Sequence, residues 1–237
     1  MTVVQIFDSF LSYPAVGLTI KATFLALLLQ LIIGLPLGLY LAGRSGLIKS
    51  VVEILVTLPM IFPPIALGFF LLLVLGKNSP IGSCFIQVFH LKIIFAFPGI
   101  LLATFLVGLP FMVKSVQAAR QQLPDSLKEV AQTLGKSRLQ IFRFVLLPNI
   151  KNGVVAGLLL AFGRSIGEVG ISLMLGGNII GRTETLSLAI YNAVFDGNFF
   201  RAAVFSGFLS LIAVGVMLIL NLVNHRSLSF FHFKQKV

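Results

Sequence analysis

Residues 117–150 read QAARQQLPDSLKEVAQTLGKSRLQIFRFVLLPNI, a basic stretch lying between two apolar segments of membrane length. Pro124, Gly135 and Pro148 punctuate it. After Pro124 or Asp125, with Glu129 close behind, the pattern predicts a helix start. Leu127, Val130, Ala131 and Leu134 recur at helical spacing and form one apolar stripe. Gly135 then breaks the helix and permits a turn with positive φ or a close approach. Ser137 is placed to cap a second helix carrying Leu139, Ile141, Phe142, Val145 and Leu146, which Pro148 is expected to end. The product is a short helix–turn–helix with an apolar face and exposed basic residues. Two readings follow. The face enters a groove on a soluble partner, or the hairpin packs on the ends of the chain's own spans.

Outward from this loop, composition places the chain in a bilayer. Of 237 residues, 57% are hydrophobic and 11% charged, and mean hydropathy is +1.04. Soluble domains carry about 25% charged residues. The net charge of +11 sits in loops between apolar runs, which argues against a nucleic-acid partner. A span needs about 20 apolar residues. Five are predicted: 16–42, 51–75, 93–113, 154–175 and 202–223. The expected class is therefore an all-α membrane protein with about five transmembrane helices, or six with one further short helix. It is expected to form a single transmembrane domain over 1–237. Residues 1–14, with Asp8 among large apolar residues, are expected at the interface. The first cation is Lys21, so a retained first span is expected in place of a cleaved signal peptide. Cys84 is the single cysteine and forms no internal disulfide.

Lysine and arginine counts give the orientation. Arg44, Lys49, Lys114, Arg120, Lys128, Lys136, Arg138, Arg143, Lys151, Arg226, Lys234 and Lys236 fall on one side; Lys21, Lys77, Lys92, Arg182 and Arg201 fall on the other. The positive-inside rule then puts the 117–150 loop and the C-terminus in the cytoplasm and the N-terminus outside. Pro59, Pro63 and Pro64 are expected to kink or unwind the second span, and Pro36 and Pro110 to bend the first and third.

Two ionisable residues, Arg164 and Glu168, lie in the predicted fourth span. Four residues apart, they share a helix face and can pair. The pair either fixes helix register or presents a polar patch to a translocation path. Gly153, Gly157, Gly163, Gly167 and Gly170 make small-xxx-small patterns that allow close helix contact. Beyond the span, Asn178, Thr183 and Thr185 are candidate donors to an anion, and equally candidates for turn-building. His90, His225 and His232 lack zinc-ligand spacing, so no metal is expected. Gly135-Lys136-Ser137 resembles the end of a phosphate-binding loop, but Val130 stands where that motif needs glycine. No ATP site, catalytic residue or cofactor is therefore expected in this chain.

The order Glu129-Val130-Ala131, three residues, Gly135, nine residues, Val145, one residue, Leu147-Pro148 resembles the coupling loop of ABC-importer permeases. Val130 and Val145 replace that family's alanine and isoleucine. From Phe162 onward, Gly176-Gly177-Asn178-Ile179, Gly181, Thr183-Glu184-Thr185-Leu186 and Ala189-Ile190-Tyr191 resemble permeases for molybdate, tungstate and sulfate. Together with Leu58-Pro59, Pro63-Pro64 and the 76–82 run, they look most like the molybdate branch. Ile180 and Val169 depart from it, standing where proline and phenylalanine are usual.

The resemblance implies a type I ABC-importer permease fold and a homodimer of permeases. It also implies two ATP-binding cassette subunits and an extracytoplasmic oxyanion-binding protein. By it, Glu129, Ala131, Leu134, Gly135, Leu147 and Pro148 couple to the ATPase. Arg164, Glu168, Asn178, Thr183 and Thr185 are the pathway or substrate candidates. The expected site is the plasma (inner) membrane, in contact with lipid. A stand-alone secondary transporter is the rival class, although no internal repeat is visible.

Overall fold

The protein was analysed as a computed structural model that describes residues 13–43 and 46–232. The expected interfacial segment 1–12, Arg44, Phe233, Lys234 and Lys236 lie outside the described residues. All regular structure among them is helical. In chain order the elements are α1 (Pro14–Leu29), α2 (Leu35–Leu41), α3 (Leu47–Ile61), α4 (Pro64–Leu75), α5 (Pro80–Phe89) and α6 (Phe97–Gln121). They continue with α7 (Ser126–Thr133), α8 (Arg138–Ile141), α9 (Leu147–Ile166), α10 (Gly170–Gly176), α11 (Leu186–Phe195) and α12 (Phe199–His232).

Among the described residues, four stretches are long and apolar enough to cross a membrane: Pro14–Leu41, Phe97–Gln121, Arg138–Ile166 and Phe199–Leu218. A fifth crossing exists if α4 and α5, bent by 61° at their junction, count as one. Two predicted spans are broken. The second, expected over 51–75 with a kink or unwinding at Pro59, Pro63 and Pro64, divides at Phe62-Pro63 into α3 and α4. Proline disfavours the helical region for the residue before it, and both Phe62 (ψ 142°) and Pro63 (ψ 128°) precede a proline. Pro59 and Pro110, by contrast, lie inside helices that continue through them. The fourth, expected over 154–175, stops at Ile166 and restarts at Gly170.

Prolines are also absorbed in a way the sequence did not suggest. Pro148 was expected to end a helix. Instead, the helix runs unbroken from Arg138 to Ile166. A π-helical turn over Phe142–Leu146 precedes Pro148, and the Leu147 amide reaches back five residues to the Phe142 carbonyl. Widening the turn eases the clash and the missing donor that a proline brings to a regular ladder. A second π turn, Gln30–Gly34, stands in the same relation to Pro36 and joins α1 to α2.

α6 is the hub. Its Ala103 and Val107 pack with Leu67 of α4 and Ile171 and Leu175 of α10. Its Met112 and Val116 pack with Ile150, Val154 and Ala161 of α9. Its Leu109 and Val113 meet Leu41 and Val56. Lipid tails are as apolar as leucine, so such contacts stabilise through close packing more than through escape from water. Gly153 and Gly157 let α9 approach α6: a Cβ at Gly153 would lie 2.3 Å from the Ala119 methyl, and one at Gly157 3.0 Å from Met112 and Ser115. Gly163, on the same helix, and Gly167, just past its end, have open space beside them. Glu53 of α3 pairs with Lys114 of α6, and the Gln117 amide also donates to Glu53 at 3.3 Å. α6 extends to Gln121, beyond the predicted limit of Val113. Large apolar side chains remain uncovered on many helices, among them Leu47, Ile48, Ile61 and Leu211, as contact with lipid or a membrane partner requires.

Candidate functional site

Three regions hold the predicted residues. The first is the hairpin after α6. Arg120 donates to the Leu123 carbonyl at 3.1 Å and to the Asp125 carboxylate at 2.7 Å, fixing the exit from α6. α7 then ends in a left-handed residue: Gly135 has φ +71°, the Lys136 amide donates to the Ala131 carbonyl at 3.1 Å, and the Gly135 amide to Gln132 at 2.9 Å. This is the Schellman closure, in which glycine's lack of Cβ removes the cost of positive φ. Ser137 caps α8 by accepting from the Gln140 amide at 3.3 Å, while the Gln140 side chain accepts from the Ser137 amide at 2.9 Å. Both partners of a capping box are thus present.

Ala131 and Ile141 are buried between the two short helices. Leu127, Val130, Leu134, Leu139 and Phe144 are exposed. Glu129, Gly135 and Pro148 are exposed as well, and Leu147 is half-buried. Of the apolar face predicted from the sequence, Leu127, Val130, Leu134 and Leu139 are thus uncovered, while Ala131 and Ile141 are buried and Phe142, Val145 and Leu146 half-buried. Ser137→Ala should lose about 1 kcal/mol from this hairpin. Amide exchange in the hairpin, followed by mass spectrometry, should accelerate about five-fold in that variant, with the spans unchanged.

The second region is the break after α9. The Arg164 guanidinium donates to Glu168 Oε2 at 2.8 Å. The side chain of Glu168 is 2% exposed and that of Arg164 33%. The predicted pair thus exists, but not in mid-helix. Glu168 sits in the break, and its Oε1 accepts the Ile171 amide at 2.7 Å. The carboxylate, one residue before the N-cap Val169, therefore caps the start of α10 by satisfying one of its orphan donors. Around it, Thr19, Thr23, Thr104, Ser165, Ser172 and Thr185 line a cavity of about 10 Å³. Next to this, the Gln30 amide donates to the carbonyls of Thr104 (3.2 Å) and Phe105 (3.0 Å) and to Ser165 Oγ (3.2 Å). This buried polar heart was not read from the sequence. Its members come from α1 and the π turn after it, from α6, α9 and α10 and from the N-cap of α11, and no local spacing marks them.

The third region, residues 176–201, holds the three predicted anion donors. Thr183 is 1% exposed. Its hydroxyl donates to the Gly176 carbonyl at 2.6 Å and accepts the Ile179 amide at 2.9 Å. Thr185 caps α11 through the Leu188 amide at 3.3 Å. Asn178, at φ +51°, exchanges side-chain hydrogen bonds with Asn192 at 2.6 and 3.2 Å. All three thus build the loop in this structure.

Sequence reasoning missed the acid they surround. Glu184 is 3% exposed and accepts from Tyr13 at 2.8 Å and Asn192 at 2.7 Å. Arg201 donates to the Tyr13 hydroxyl at 2.9 Å and lies over the Tyr13 and Phe205 rings. Tyr13, just outside the first span, titrates above the usual tyrosine range. Burial is the main cause, reinforced by the hydrogen bond and charge of Glu184 and opposed by Arg201. Among the described residues no cluster of three or more His, Cys, Asp or Glu is placed to hold a metal.

Residues 34–233 match the family model described as binding-protein-dependent transport system inner membrane component. The molybdenum transport system permease protein ModB of Azotobacter vinelandii is 34% identical over 182 residues, covering 76% of this chain and 80% of that protein. The sulfate transport system permease protein CysT of Salmonella typhimurium is 33% identical over 177 residues, covering 75% and 64%. Among solved structures, a chain of the MetNI methionine ABC transporter in an inward-facing form superposes with a TM-score of 0.71. It shares 20% identity, over 96% of this chain and 99% of that one; the likeness is one of fold.

Proposed function

This chain belongs to the family of binding-protein-dependent transport system inner membrane components, and from that membership we propose that it moves an oxyanion, molybdate foremost, into the cytoplasm as the permease of an ABC importer. The observation that carries the cargo is the 34% identity to a molybdenum permease over 182 residues. The sulfate permease at 33% supports sulfate as the second reading. Tungstate shares the charge and tetrahedral shape of molybdate.

In this reading the chain hydrolyses nothing itself. Two copies form the membrane unit, two ATP-binding cassette subunits dock below it, and an oxyanion-binding protein delivers cargo from outside. The exposed apolar residues around Gly135 fit a groove on the ATPase, so that closure of the ATPase pair moves the hairpin as a rigid body. The positive-inside count supports a cytoplasmic hairpin and an N-terminus outside. Arg164 and Glu168 stand at the break in the fourth span, where irregular backbone inside a membrane belongs beside a cavity or path.

Vesicles containing the permease, with the ATPase and ATP inside and the cognate binding protein outside, test this reading. Uptake of radiolabelled molybdate should require all three components. Molybdate and tungstate should differ by no more than about two- to three-fold once the same binding protein delivers both, because two dianions of like geometry offer little differential contact. Uptake driven by an ion gradient without the ATPase would return the chain to the secondary transporters. Preference for sulfate with the native binding protein would move it to the sulfate branch.

A further inference from the structure

We propose that the wedge between α4, α5 and the 90–96 loop is a binding site for an anionic phospholipid. The wedge encloses a cavity of about 790 Å³, within the range of pockets that hold small amphiphiles. It exists because α4 and α5 diverge by 61° after Gly76. Leu72, Leu75, Phe85, Ile86 and Ile94 are among the side chains that give it apolar walls. The 90–96 loop closes one side and is tied to the core by the Phe95 amide, which donates to the Leu175 carbonyl at 2.7 Å.

Two cations, Lys77 and Lys92, also line this wedge. Both are exposed, and among the described residues neither has a carboxylate within ion-pair distance. Such a lining selects its occupant. A free oxyanion satisfies the lysines and leaves the apolar walls wet. A neutral lipid fills the walls and leaves two ammonium groups without a counter-charge. An amphiphile with an anionic head and an acyl tail satisfies both, with the lysine stems lying along apolar surface and their heads at the phosphate. Bound there, the lipid braces the bend between α4 and α5. The site involves none of the residues placed in the coupling hairpin or at the α9 break.

The chain contains no tryptophan, so Phe85→Trp gives a single fluorescent reporter in the wall. The full-length variant would be placed in phosphatidylcholine vesicles carrying rising fractions of dibrominated phosphatidylglycerol. A parallel series would use dibrominated phosphatidylcholine. Half-maximal quenching should need roughly twenty-five times less brominated phosphatidylglycerol than brominated phosphatidylcholine, since each of the two lysines near the headgroup adds about a five-fold preference. Lys77→Gln with Lys92→Gln should abolish the difference, and Lys77→Arg with Lys92→Arg should keep it. A Leu211→Trp reporter on α12 should show no preference.

Equal quenching by the two lipids would overturn the proposal, as would a preference that survives the double glutamine variant or appears equally at position 211. Loss of the preference on adding inorganic molybdate would assign the lysines to free oxyanion. Loss on adding the binding protein would make the wedge a protein-docking surface. Either result overturns the lipid site.

Discussion

Arg164→Met should destabilise this protein by about 3 kcal/mol, more than Glu168→Gln, because the more deeply buried member of the pair is the acid. The side chain of Glu168 is 2% exposed against 33% for Arg164. Removing the arginine leaves a buried carboxylate with a single amide, Ile171, to satisfy it. Removing the acid's charge leaves a guanidinium that is already one-third open, and the glutamine oxygen still accepts the Ile171 amide. Thermal unfolding in detergent should therefore rank Arg164→Met lowest. Arg164→Met combined with Glu168→Gln should recover much of the loss, since neither residue is then charged. Full transport by that double variant would make the pair purely structural. A stable double variant without transport would show that the charges act on the cargo's path. Wild-type stability in Arg164→Met alone would refute the ion-pair account.

At Gly135 the expected loss is of coupling. Its φ of +71° is the obstacle to substitution, since a Cβ there meets nothing within 4 Å. A β-branched residue in the left-handed region costs about 1–2 kcal/mol or more. Gly135→Val should therefore unravel the end of α7 and drop ATP-driven uptake to roughly a tenth or less, while membrane insertion stays normal. Gly135→Asn should retain most activity, because asparagine tolerates this conformation. Gly135→Ala should fall between. A valine variant with normal uptake and normal ATPase stimulation would remove the hairpin from the coupling role. A result in which all three variants fail alike would point to loss of a glycine-only contact with the ATPase and not to backbone geometry.

How legible these features were depends on the range of the interactions behind them. The hairpin could be read residue by residue because its determinants are local: the Leu127–Leu134 stripe, the glycine at the turn, and the Ser137 cap three residues from Gln140. The Arg164–Glu168 contact was legible for the same reason, as an i, i+4 pair. The capping role of Glu168 was not, because it depends on the chain breaking at Gly167, where no proline announces a stop. Pro148 misled in the opposite direction, since a π turn absorbed it and hydropathy carries no trace of such a turn. The Tyr13–Glu184 bond joins residues 171 positions apart. No periodicity in one sequence reports a contact of that kind, and so Asn178 and Thr183 could be marked as polar but not assigned to the loop they build.

The unbroken helix from Arg138 to Ile166 has a mechanical consequence. Its 29 residues measure about 43 Å at 1.5 Å per residue. One end carries the capped turn of the hairpin and the other carries Arg164, so the two stand on a single lever. Were Pro148 to break the helix, as its position suggests, a push on the hairpin would dissipate in a loop at the membrane surface. With the π turn bridging the proline, a tilt of roughly 5° at the hairpin end sweeps the Arg164 end through about 4 Å over that length. A displacement of that size is comparable to the radius of a tetrahedral oxyanion. A small rotation imposed from below is thus geometrically sufficient to open or shut a passage of the cargo's width.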